Sequence, residues 1–322
     1  MTRRAYVDHH QRICVFWSPK SASRTVLSWY AEAFCGINRL SGGKARRLTQ
    51  IANYDVVRAC YLANREGYFS AAFVRHPATR LLSAYLNKFV RAKRRPLTAF
   101  CDLVPYAQTA VRQIAALKGE RFDEEGYEGI SFVDLLDLCE ARIKSRDVEP
   151  DLNAHWSTQV PFVAPVVKLS YDHVVAVETL ADDMAPLVKA FGGTGPTEAR
   201  NRTALDAGAP GGVPDAPHNS ASKTAAADTP SARLAGERLD PSAFLTDAML
   251  ARIGEVFAQD FEHLGYDPRA PDRPPAIRTR NKPEIHHDPM REICRRRANR
   301  AFGARKLKRF YAERRKRNAD NG

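Results

Sequence analysis

The feature that most constrains this chain is an apolar run that stops on a turn of small polar residues and restarts as a helix. Ile13-Cys14-Val15-Phe16-Trp17 reads as a buried strand. Ser18-Pro19-Lys20-Ser21-Ala22-Ser23 reads as a loop. From Arg24 to Phe34, the residues Val26, Leu27, Tyr30, Ala31 and Phe34 recur at helical spacing, and Gly36 supplies a stop. The pattern then returns. Tyr68 to Val74 reads as a second strand, Arg75-His76-Pro77 closes it, and Pro77 suits the first turn of a helix. Leu81, Leu82, Tyr85 and Phe89 mark that helix to about Val90. Strand–loop–helix units in series predict an α/β fold of P-loop-like, three-layer type, with a mostly parallel central sheet flanked by helices.

The rest of the chain extends this plan. Ser131 opens an apolar-periodic run with Asp134 at the capping-box distance. Val166–Leu169 and His173–Val177 are strand candidates, and a helix is expected from about Leu180 to Phe191. Residues 192–239 are rich in Gly, Pro, Ala, Ser and Asp and nearly lack aromatics. Such a segment buries too little surface to offset its ordering entropy, so most of it is expected to be a mobile insertion. Helical periodicity resumes at Phe244, Met249, Ile253, Val256, Phe257 and Phe261 and closes near Tyr266. The expected organisation is one domain over 1–268, then a Pro-rich linker and basic tail over 269–322.

Charge is concentrated in that tail. The net charge is +13, of which residues 291–322 contribute +10 and the remaining 290 residues only +3. The tail, with Ile293, Phe302, Leu307 and Phe310 among its cations, reads either as a basic amphipathic helix for a polyanion or anionic membrane surface, or as a solvated extension. No stretch reaches the ~20 apolar residues that span a bilayer. The first 17 residues carry no signal-peptide core. Six cysteines show no C-x-x-C pair or zinc-ligand spacing. These features predict a cytoplasmic protein without a metal, with peripheral membrane contact through the tail left open.

The chemistry resides in the loops. Small residues between a strand and a helix N-terminus aim backbone N–H groups at one point, where the helix dipole adds positive charge. Lys20 adds a full charge, and Ser23 and Thr25 can donate hydroxyl hydrogen bonds. The triphosphate motif G-x-x-x-x-G-K-[ST] is absent. In the second unit, Arg75 stands just beyond the strand and Ser83 on the following helix, where the two can converge on one phosphate. Arg80 and Lys88 read as solvated or structural.

PKSASRT and VRHPATRLLSAY together resemble the two nucleotide segments of sulfotransferases that use 3′-phosphoadenosine 5′-phosphosulfate (PAPS). The block NAHWSTQVPFVAPVVKLSYDHVVAVETLADDM is similar to the carbohydrate branch of sulfotransferase family 2, the chondroitin 4-sulfotransferase type. Asn153, His155, Trp156, Gln159, Tyr171, Asp172, Glu178, Thr179 and Asp183 match its pattern. The resemblance covers roughly residues 12–191 and 240–268. It implies that Lys20, Ser21, Ala22, Ser23, Arg24 and Thr25 hold the 5′-phosphosulfate and that Arg75 and Ser83 hold the 3′-phosphate. Arg24 stands where the family has Ser or Thr; whether it adds a charge at the phosphosulfate or points away stays open. The C-x-x-C pair of the animal enzymes is replaced by Phe162-Val163-Ala164-Pro165.

The implied activity is transfer of a sulfuryl group from PAPS to a hydroxyl of a carbohydrate or glycoconjugate. Lys20 would stabilise the leaving group and His155 would act as general base. Glu66 and Asp55 are alternative bases. His76 reads as a strand-end residue, and Asp172 and Glu178 as structural. The competing reading is a non-catalytic anion- or nucleic-acid-binding protein that works through its basic tail. The acceptor site is expected in variable loops at 36–66 and 91–130.

Overall fold

The computed structural model describes residues 4–36, 53–92, 95–145, 152–163, 171–195, 226–234 and 239–276. The strand expected at Val166–Leu169, the basic tail and most of the low-complexity segment lie outside these residues. The described chain forms two compact units, one drawn from residues 2–74 and 161–200 and the other from 75–160 and 201–276. They are called here the sheet unit and the helical unit.

The sheet unit is built on five strands: β1 (Arg4–Asp8), β2 (Ile13–Trp17), β3 (Asn53–Asp55), β4 (Phe69–Val74) and β7 (His173–Ala176). Their spatial order is β3-β1-β2-β4-β7. β2 pairs with β4 and β4 with β7 in parallel, whereas β1 pairs antiparallel with both β2 and β3. The sheet is therefore mixed rather than mostly parallel. The cause is local: residues 9–12 form a tight turn that folds β1 back on β2 as a hairpin, and the short β3 adds to its outer edge.

Alternation along β2 sorts its side chains to two faces. Ile13 and Val15 join Val26, Trp29, Tyr30 and Phe34 of α1 (Ser23–Cys35) and Met184, Leu187 and Phe191 of α6 (Leu180–Phe191) in one buried cluster. The opposite face, with Cys14, packs against α2 (Val56–Arg65), whose Cys60 lies near enough to act on the Cys14 thiol. This gives three layers, helix–sheet–helix. β1 and β3 are short strands that sequence periodicity does not flag, and α2 occupies part of the region expected to be acceptor loops.

The helical unit starts where the chain leaves β4. It contains α3 (Pro77–Tyr85), continued by one π-turn at Leu86–Val90, and the hairpin β5 (Arg91–Ala92) with β6 (Arg95–Pro96). It also holds α4 (Pro105–Leu117), α5 (Phe132–Lys144), α7 (Asp247–Val256) and α8 (Ala258–Leu264). Its core is aromatic: Tyr85 packs on Phe132 at 5.4 Å and on Phe244 at 6.1 Å between ring centres, and Phe89 on Trp156 at 5.6 Å. Ser131 caps α5 with the expected reciprocal bonds to Asp134. The single helix read through Phe244–Phe261 is two, broken at Phe257 and ended by Gly265 in the left-handed region.

The end of the low-complexity segment is packed in this unit. The Ala227 carbonyl accepts hydrogen bonds from the N–H groups of Phe132 and Val133. Ser231 is fully buried, and its hydroxyl accepts from the Ile130 N–H. Gly129, at φ +97°, lies against this segment; a Cβ there would stand 2.4 Å from the Ser231 hydroxyl.

Candidate active site

The sheet unit places the loop Ser18–Ala22 at the carboxyl end of β2. The register Trp17↔Phe73 brings the ends of β2 and β4 side by side. Ligands of open α/β sheets bind outside the carboxyl ends of the strands.

The loop is held by its own backbone. Ser18 and Ser21 are both fully buried, with their hydroxyls 2.8 Å apart, and the Ser21 N–H donates to the Ser18 carbonyl. Lys20 and Ala22 adopt left-handed φ values of +72° and +53°. Non-glycine residues pay for that conformation and keep it only where the surroundings impose it, most often at functional sites. Ala22 is the N-cap of α1, so no side chain caps this helix, and its first turn contains no acidic residue. The Thr25 and Val26 N–H groups close the first turn on the Ala22 carbonyl. The helix N-terminus, with its partial positive charge, follows directly on a lysine-bearing loop, an arrangement that suits an anion. Thr25 is buried, Lys20 and Ser23 are half-buried and Arg24 is exposed.

The two alternative bases separate in this unit. Asp55 pairs with Arg4 and so stands at the carboxyl edge of the sheet, but its carboxylate caps α2 by accepting from the N–H groups of Val57 and Arg58. Glu66 follows the far end of α2, and its carbonyl accepts from Arg12, the residue before β2. Glu66 is thus at the amino edge, the end of the sheet opposite the loop Ser18–Ala22. Asp172 is at that edge too, accepting from the Ser70 N–H and hydroxyl, a structural role as expected.

In the helical unit, Arg75 lies along α3. Its Nε–H donates to the Thr79 hydroxyl at 3.1 Å, and Ser83 is one turn further on the same side. Its backbone N–H and carbonyl are both bonded to the Gln159 side-chain amide. His76 is fully buried and caps α3: Nδ1 accepts from the Ala78 N–H, while Nε2 bonds the Asp267 carbonyl and so carries the proton. Burial lowers its pKa below the ordinary 6.5, although Asp267 pulls it back up.

Beneath these residues is an ionic network that the sequence does not disclose. Arg80, at 1% exposure, donates to the carbonyls of Ser157 (2.6 Å) and Ala154 (2.7 Å). Asp260, at 0% exposure, accepts from the N–H groups of Gln159 and Val160. Desolvation lowers Arg80 to about 10, which leaves it charged, and raises Asp260; each charge opposes the other's shift. The segment Ala154–Val160 is therefore clamped by α3 on one side and α8 on the other. Arg80 is structural, one of the two readings open from its position on the helix.

His155 sits within the clamped segment, half-buried. Its ring stacks on Tyr106 of α4 at 5.1 Å and 7° between planes, and its Nδ1 lies 2.7 Å from the Asn153 side-chain oxygen. Tyr106 was not identified from the sequence; it follows Pro105 at the start of α4, in the stretch expected to be loop. Among the described residues, no group of three or more His, Cys, Asp or Glu could hold a metal ion. No helix among them is long and apolar enough to cross a membrane.

Compared with known proteins, residues 4–267 match the sequence model of a family described as the sulfotransferase family, type 2. No curated protein and no solved structure matches the chain.

Proposed function

The chain belongs to the sulfotransferase family, and from that premise we propose that it moves a sulfuryl group from PAPS to a hydroxyl of a carbohydrate or glycoconjugate. The observation that supports this most is the loop after β2: a lysine, two residues held at positive φ, and a helix N-terminus with no side-chain cap and no acid in its first turn. These groups suit the 5′-phosphosulfate, held by Lys20, Ser21, Ala22, Ser23, Arg24 and Thr25. Arg75 and Ser83, which share one side of α3, are assigned the 3′-phosphate. The carbohydrate acceptor rests on the resemblance of the Asn153–Asp183 block.

In the reaction, the bond between sulfur and the 5′-phosphate oxygen breaks as one forms between sulfur and the acceptor oxygen. Lys20 stabilises negative charge growing on the departing phosphate, in the way preorganised cations serve phosphoryl transfer. The acceptor proton passes to His155. Positioning and electrostatics supply the rest, since the transfer needs no covalent intermediate with the protein.

The test is thermal stabilisation by 3′-phosphoadenosine 5′-phosphate against adenosine 5′-phosphate. A ligand at about a thousand times its Kd adds about 4 kcal/mol. The 3′-phosphorylated nucleotide is expected to stabilise far more strongly, and Arg75→Ala to abolish the difference. Absence of stabilisation by either nucleotide would remove the donor reading, and equal stabilisation would remove the role of Arg75. Labelled PAPS with a panel of sugars, lipid-linked glycans and phenols then identifies the acceptor.

A further inference from the structure

We propose that Asn153 is a positioning residue for catalysis: it holds the His155 ring in the tautomer whose lone pair is on Nε2. The inference rests on the reading of His155 as the base and deepens it. Two hydrogen bonds carry the argument. The His155 backbone N–H, which can only donate, lies 3.1 Å from Asn153 Oδ1. That contact identifies the atom as the carbonyl oxygen of the amide rather than its nitrogen. The same oxygen is 2.7 Å from His155 Nδ1. An amide oxygen only accepts, so Nδ1 carries the proton, and in the neutral ring Nε2 is the basic nitrogen.

The surroundings keep this arrangement from relaxing. The Asn153 carbonyl accepts from the N–H groups of Trp156 and Ser157, closing a tight turn around the histidine. Arg80 grips the carbonyls of Ala154 and Ser157 on either side. The Cys139 thiol donates to the Trp156 carbonyl. Tyr106 lies flat on the imidazole, Trp156 approaches it at 6.3 Å, and the Lys88 ammonium is 5.3 Å from the Tyr106 ring centre. A half-turn of the ring would keep the stack but put a carbon in place of Nδ1 and lose its bond to Asn153. A base whose proton-accepting atom is chosen before the acceptor arrives avoids a tautomer exchange at each turnover.

A purely structural alternative exists, because the Asn153 side chain also caps the turn. The experiment separates the two using full-length protein labelled with ¹⁵N-histidine and long-range proton–nitrogen spectra, with the His155 signal assigned by its loss in His155→Ala. The expected spectrum of the neutral ring shows a protonated Nδ1 and an unprotonated Nε2. In Asn153→Asp, a carboxylate keeps both acceptor bonds and adds a charge, so the midpoint of the ring titration should move up by about one pH unit or more. The inflection in sulfate transfer from labelled PAPS to mixed oligosaccharides should move with it. In Asn153→Ser, the shorter hydroxyl retains a turn cap but does not reach Nδ1. That variant should lose turnover about tenfold or more at unchanged nucleotide affinity.

An Nε2-protonated ring in the wild type, or an unmoved titration in Asn153→Asp, overturns the proposal. If Asn153→Ser fails to fold, Asn153→Asp still decides, because it preserves the cap. The underlying reading fails separately: a His155→Ala enzyme with normal turnover shows that His155 is not the base, whatever its tautomer.

Discussion

The two units hold their candidate residues by opposite means. In the sheet unit, the anion-binding loop is shaped by main chain: left-handed residues, a helix N-terminus and a pair of buried serine hydroxyls. In the helical unit, His155 and Arg75 are fixed by side chains, above all the buried Arg80 and Asp260 and the Gln159 amide. A loop of the first kind is written in a few consecutive residues and can be recognised as a motif. A network of the second kind joins positions 74 to 101 residues apart, so no local pattern announces it. The difference also predicts where each region is fragile. The loop should fail in function before it fails in stability, and the network should fail in stability first.

The largest effect is expected from breaking the network. Arg80→Met keeps the length of the side chain but removes the donors to the Ser157 and Ala154 carbonyls and the buried positive charge that favours ionised Asp260. Two buried hydrogen bonds from a charged donor, at about 1.5–3 kcal/mol each, put the expected loss at about 3–5 kcal/mol. Adding Asp260→Asn removes the buried negative charge while leaving an oxygen for the Gln159 and Val160 N–H groups, and should recover only the electrostatic part of the loss. Chemical denaturation of the single and double variants measures both steps. A single-variant loss below about 1 kcal/mol would mean that solvent or rearrangement satisfies the Ser157 and Ala154 carbonyls, and that Arg80 does not clamp the segment.

The loop makes the contrasting case. Lys20→Ala should lower kcat about 10²–10³-fold, the usual effect of deleting one preorganised group that meets transition-state charge. Nucleotide affinity should fall less, because ground-state phosphate keeps the backbone donors. Unfolding should be almost unchanged. Equal losses in kcat and in affinity for 3′-phosphoadenosine 5′-phosphate would make Lys20 a plain binding group.

Acid should act on the helical unit through His76. Its folded-state pKa lies below 6.5, so as pH falls below 6.5 the unfolded chain takes up a proton that the folded chain refuses. Stability should therefore be full above 6.5 and decline below it, by at most about 1.4 kcal/mol per pH unit. Protonating Nδ1 would also remove the acceptor that caps α3. Asp8 and Asp260, whose carboxyls are raised by burial, oppose this trend. His76→Gln should flatten the decline between about pH 7 and pH 5.5 relative to wild type; an unchanged slope would place the acid-sensitive group elsewhere.

The same contrast explains what could be read from the sequence. Ile13–Trp17 and Phe69–Val74 are apolar runs ended by turn residues, so both strands and the helices after them were legible. β1 was not, because Arg4-Ala5-Tyr6-Val7-Asp8 is short and charged at both ends, and its pairing with β2 and β3 makes the sheet mixed. α2 was missed although Asp55 is an N-cap signal and Val56, Ala59, Cys60 and Ala63 recur at helical spacing, because the stretch reads as part of the variable acceptor loops. In the candidate site, Lys20, Arg75 and His155 were legible as motif positions. The use of Arg80 and Asp260 was not, because a lone arginine on a helix and a lone aspartate 180 residues later each look like surface residues until the fold buries them together.

The smallest effect tests the backbone side of the comparison most directly. Ala22 is held at φ 53° and ψ 28°. That conformation presses Cβ against the following carbonyl and costs a non-glycine residue about 1–2 kcal/mol. Ala22→Gly relieves this cost but gives the unfolded chain more freedom, worth about 0.5–1 kcal/mol. The net change should be a gain of up to about 1 kcal/mol, read as a shifted denaturation midpoint at constant slope. Activity should stay close to wild type, because glycine reproduces the same main-chain donors. Ala22→Val should do the reverse, since a branched Cβ is poorly tolerated at positive φ, and should lower both stability and kcat. If Ala22→Gly kept its stability yet lost turnover as Lys20→Ala does, the methyl group itself would be needed at the donor. The loop would then be shaped by side-chain packing, as the helical unit is, and the contrast between the two units would fall.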